Sequence, residues 1–223
     1  MAACRQKKAG LPGRCRPRRP GPDKLSHMNN TATGRVRRSM VFIGANAGLA
    51  LHPVDAKGAQ LPGEPASCFA SFWMADWSRW GRGDALLVAT LQGWRSYGAN
   101  EFFAASLAAE LTRYVPEAAR FPLAGITHTQ DEFDVDLDPG RGFRATGHKA
   151  ELEISGILDR RQFATPDFQL GDGSASLSNV YLPCSTGRLS EFGVEWPGAA
   201  TVYPGPMGPS SSAFVAVAES WAF

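Results

Sequence analysis

The densest mixture of acid, base and nucleophile types in the chain is Arg144-Ala145-Thr146-Gly147-His148-Lys149-Ala150-Glu151-Leu152-Glu153. In an extended segment alternate side chains share a face. Lys149 and Glu151 then touch on one side, with Arg144, Thr146 and His148 on the other. His148 also falls in phase with Ala150, Leu152 and Ile154. An imidazole turned toward such neighbours loses hydration and its pKa drops, which suits a neutral general base. Arg144 is the matching anion binder, and Lys149 with Glu151 is the alternative acid–base pair. Lys149 turned inward would instead be a candidate Schiff-base amine. The plain counter-reading is a surface ion pair beside a structural histidine.

A second concentration is aromatic. Trp73, Trp77, Trp80 and Trp94 stand with Phe72 and Tyr97 between residues 72 and 97. Flat rings with an N–H handle suit the wall of a pocket for an apolar, aromatic or sugar ligand. Arg95, with Arg79 and Arg82 nearby, could meet a ligand carboxylate as a bidentate donor. The competing reading is one wall of a packed core. His128 and His148 are the two imidazoles clear of the N-terminal region, and no ligand spacing accompanies them, so no metal site is expected.

Other signals narrow the field. There is no Walker A loop, no GxGxxG, no GxSxG, no CxxC and no HExxH, so nucleotide-driven and zincin chemistry are not expected. No organic cofactor is called for. Glu132, Asp134, Asp136 and Asp138 alternate with Phe133, Val135 and Leu137. One strand face spaces such acids about 7 Å apart, too wide for one calcium shell, so they read as solvated. Cys68 and Cys184 read as small core residues, with a disulfide as the alternative in an oxidising compartment.

The elements that must position these residues are mostly short apolar runs between Gly and Pro clusters. They predict strands at 68–72, 85–91, 133–137, 143–154, 163–170, 175–182, 200–203 and 213–221. Residues 139–142 turn a hairpin between the acidic strand and its return strand. Phe103, Leu107, Leu111 and Tyr114 recur at helical spacing after Asn100, an N-cap, and Pro116 limits that helix. Ser71–Trp80 reads either as a short helix or as a strand. The fold expected is α+β: a mainly antiparallel curved sheet or β-barrel packed by one amphipathic helix.

The net charge of +2 conceals an asymmetry. Residues 1–39 hold eleven basic side chains against Asp23 alone, or +10, whereas the remainder holds twelve basic and twenty acidic residues, or −8. Rich in Gly, Pro and Arg, residues 1–39 are expected to be a disordered leader, followed by one globular domain over 57–223. Arg37-Arg38-Ser39 and the apolar run 40–51 resemble a twin-arginine export signal reaching to about residue 56. The other reading makes Met40-Val41-Phe42-Ile43 the opening of the first strand. No apolar run is long enough for a transmembrane helix, and no aromatic interleaving supports nucleic-acid binding by the leader.

Together these features lead to two expectations. The first is a small-molecule enzyme of the lyase, hydrolase or isomerase class, working in a pocket of the curved sheet. The alternative is a non-catalytic ligand-binding β-barrel whose tryptophans line the pocket. A small-molecule ligand is the expected partner. The expected location is the cytoplasm, with export as the alternative.

Overall fold

A computed structural model describes residues 39–61, 63–170 and 173–222. The basic leader, apart from Ser39, lies outside the described residues. In chain order the strands are β1 (Ser39–Leu51), β2 (Cys68–Ser78), β3 (Gly83–Thr90), β4 (Gly93–Gly98), β5 (Ile126–Gln130), β6 (Asp134–Asp138), β7 (Gly142–Thr146) and β8 (Ala150–Ile157). They continue as β9 (Arg161–Leu170), β10 (Gly173–Glu191), β11 (Val194–Glu195), β12 (Val202–Gly205), β13 (Gly208–Ser211) and β14 (Ala213–Ala222). One helix, α1 (Glu101–Glu110), follows β4.

The stretch 40–51, open to two readings from sequence, lies in β1. Backbone hydrogen bonds pair it with β2 along one edge and β14 along the other, both antiparallel, and its small residues leave room above the strand for larger neighbours. Gly48 faces Phe214, whose ring lies where a Cβ would stand, 2.3 Å from the nearest ring carbon. From this centre the sheet runs β5-β4-β3-β2-β1-β14-β10-β8-β7-β6, a ten-strand path with β9 and β11 attached to β10. The pairing is antiparallel except for β4 with β5. The sheet curls into a half-barrel.

Each face of the sheet has its own apolar core. On the concave face Leu49, Phe72, Leu86 and Tyr97 meet Phe143, Leu152, Ile154 and Leu189 from the opposite arm. On the convex face Phe69, Trp73, Leu87 and Trp94 pack under Phe103, Leu107 and Leu111. Full burial of side chains such as Phe103 and Leu107 contributes about 1.5–3 kcal/mol each. Asn100 caps the helix as expected, accepting a hydrogen bond from the Phe103 N–H at 3.0 Å. Tyr114 leaves the expected helical stripe because the helix ends at Glu110 and a 3-10 turn carries Tyr114 to an exposed position.

Of the two readings open for Ser71–Trp80, the structure shows the strand: its residues to Ser78 belong to β2, and Arg79-Trp80 turn. One local expectation is corrected. The uninterrupted return strand 143–154 is two strands, β7 and β8, joined by a tight turn at Gly147-His148-Lys149. The turn is held by Asp131, whose carboxylate accepts hydrogen bonds from the backbone N–H groups of His148, Lys149 and Ala150 at 3.0, 2.9 and 3.2 Å. A Cβ on Gly147 would stand 2.5 Å from that carboxylate, so the turn requires glycine there.

Candidate functional site

The turn at 147–149 decides where the polar cluster goes. It breaks the strand alternation, so His148 is exposed rather than in phase with buried Leu152 and Ile154. Lys149 is exposed as well and donates to the Gln130 carbonyl at 3.2 Å. Arg144 and Glu151 do come together, on the convex face of β7 and β8, where Nε and Nη2 of the arginine donate to Oε1 of Glu151 at 2.9 and 2.6 Å. Arg144 also stands between Asp136 and Glu153, and Glu153 faces Arg188, a row of alternating sign across four strands. This row borders an open, charged groove of about 380 Å³.

The tryptophans separate onto two faces. Trp73 and Trp94 lie in the convex core, Trp73 donating to Thr112 Oγ1 at 2.8 Å and Trp94 to the Phe121 carbonyl at 3.0 Å. Trp80 packs against that core under Arg79. Trp77 is the exception. A β-bulge in β2 places Ala75 opposite Gly44 but Trp77 opposite Ile43, leaving Asp76 as the extra residue. Such an insertion re-aims the side chain that follows it, and Trp77 turns to the concave face, 37% exposed. The same irregularity brings the Met74 carbonyl to 1.9 Å from the Cβ position of Gly44, which excludes any side chain there.

Arg95 also points to the concave side, where it finds an internal carboxylate. Its Nε and Nη2 donate to the two oxygens of Glu191 at 2.9 and 2.8 Å. Tyr97 Oη donates to Glu191 Oε1 at 2.6 Å and Trp196 Nε1 to Oε2 at 2.7 Å. Burial opposes the charge on Arg95, but the bonds to Glu191 and its negative charge outweigh this and raise the guanidinium pKa. Burial first, then the Glu191 bond and charge, push the Tyr97 phenol far up, so it stays a donor. This cluster closes one end of the concave core. Glu191 and Trp196 are not singled out by any local sequence signal; Tyr97 stands in the aromatic concentration, and alternation puts it on one face with Arg95.

The other end is open. Register defines successive concave rows across the sheet. Phe72, Ala47, Val215 and Leu182 form a row that is fully buried. The next row is Met74, Ala45, Val217 and Val180, of which Val217 is 41% exposed. Beyond it come Trp77, Ile43, Glu219 and Ser178. Continuing onto β9, Ala164, Thr165, Ser178, Glu219 and Trp221 line a cleft of about 580 Å³. The apolar lining thus runs outward from packed core to accessible surface.

Cys68 and Cys184 are both free and buried. Burial pushes their thiols up to about 12 and about 11, so they are poor nucleophiles. They sit on β2 and β10, with β1 and β14 between. His128 Nδ1 lies 2.9 Å from the Ser96 hydroxyl. Among the described residues no group of three or more potential ligands gathers around a metal-sized site, and no helix is long and apolar enough to cross a membrane. Comparison of the chain with protein-family models, curated proteins and solved structures gives no match.

Proposed function

We propose that this protein is a non-catalytic binding protein for a small apolar ligand, held on the open end of the concave sheet face. The supporting observation is the continuation of the concave apolar lining past its last buried row, to Met74, Val180, Val217 and Trp77. A concave surface whose floor is hydrocarbon and whose rim carries a few polar groups is the usual form of a ligand site. The enzyme reading draws less support, because Arg144 and Glu151 are paired on the opposite face from this cleft while His148 and Lys149 occupy a solvent-facing turn.

A neutral fluorescent probe, N-phenyl-1-naphthylamine, tests the proposal. The full chain is expected to enhance its emission saturably. Val217→Arg sets a charge on the floor of the site, and is expected to weaken probe binding about tenfold or more through the cost of covering that charge. Because Val217 is partly exposed, the unfolding midpoint is expected to move by less than about 0.5 kcal/mol equivalent. Absence of saturable binding, or equal binding by the variant, overturns the reading.

A further inference from the structure

The structure assigns a polarity to the ligand: we infer that the concave cleft takes an amphiphile with a cationic, ammonium-type head. The inference rests on the binding reading above and adds the chemistry of its rim. Among the described residues Glu219 is the one ionisable side chain lining the cleft, and it is exposed. It stands between β1 and β10 near the open end of the concave face, across from Ile43 on one side and Ser178 on the other. Trp221 lies two residues further along β14, on the same face, and donates its indole N–H to Glu219 Oε1 at 2.6 Å. That bond fixes the carboxylate beside an indole ring, and Oε2 accepts no bond among the described residues. Trp77 supplies a second indole in the same row.

A carboxylate beside indole rings is the pairing that recognises alkylammonium groups, through charge attraction and the negative ring face. Among the described residues no cation lines the cleft, so an anionic head would meet Glu219 with nothing there to offset it. Behind Glu219 the row of Val217 and Val180 offers the alkyl tail an accessible apolar surface that ends at the buried Val215 row. Head and tail are therefore met in the order that an amphiphile presents them.

The test compares three decyl compounds below their micelle concentrations on the full chain: decyltrimethylammonium, decanol and decyl sulfate, each displacing the neutral naphthylamine probe. The ammonium compound is expected to displace it about tenfold more effectively than decanol, and the sulfate less effectively than decanol. Glu219→Gln, an isosteric exposed change, is expected to erase the ammonium advantage, bringing the ammonium compound to within about twofold of decanol, whereas Glu132→Gln, at an exposed acid that does not line the cleft, is expected to preserve it. Equal displacement by all three compounds, or an ammonium preference that survives Glu219→Gln, overturns the inference and leaves the binding reading standing. Failure of the neutral probe itself to bind overturns both.

Discussion

Glu191 receives four hydrogen bonds from three side chains, Arg95, Tyr97 and Trp196, which lie on β4 and just beyond β11. A buried carboxylate of this kind is stable only when its lone pairs are occupied by well-placed donors. Here the three partners convert a costly charge into a lock across the end of the barrel. Arg95 was legible in the sequence as a bidentate donor; its acceptor was not, because Glu191 lies 96 residues away and no local pattern links them. Asp84 shows the opposite balance. Burial, and then the charge of Asp76, raise its pKa. The folded chain therefore favours protonated Asp84, and the associated stability, complete below the ordinary carboxyl pKa, is lost as pH rises through the raised value. Asp84→Asn is expected to be more stable than the parent in urea unfolding at neutral pH. That advantage is expected to shrink as pH falls toward about 4, near the ordinary carboxyl range.

At the scale of elements, two one-residue events set the site. The bulge at Asp76 moves Trp77 from the helix-covered face to the open one, and the Asp131-held turn removes His148 from the concave phase. Both were invisible to alternation, which counts residues but does not see an extra one or a reversal. The acidic strand was legible because no such event interrupts it: Phe133, Val135 and Leu137 pack on the concave core while Asp134 and Asp136 are exposed. Helix α1 was legible for the same reason, its cap and buried stripe being local. Asp131 also ties the end of β5 to the β7–β8 turn, where the two ends of the sheet path come together. Asp131→Ala strips the acceptor from three turn N–H groups, and a loss of about 2–4 kcal/mol is expected in urea unfolding. Faster amide exchange confined to residues 148–150 is expected to accompany it.

For the whole molecule, curvature and one covering helix followed from the strand pattern, whereas full closure into a barrel did not. The sheet stays a half-barrel because its two end strands, β5 and β6, do not pair with one another, while β10 divides one edge between β9 and β8. β1 is the strand on which the rest of the sheet depends, since it joins β2 to β14. A chain beginning at Lys57 lacks that strand, and loses both ladders and the concave contacts of Leu49 and Leu51. Such a chain is expected to show no cooperative unfolding transition by circular dichroism, while the full chain shows one.

The nineteen-residue span of β10 has a last consequence. One unbroken rod frames the wrapped end and the accessible end together, so neither can widen without dragging on the other's hydrogen bonds. On the proposed reading, a guest arriving at the cleft meets a vessel already in shape. Its selectivity would then come from outline and charge, and capture and release are expected to proceed without this strand having to rearrange.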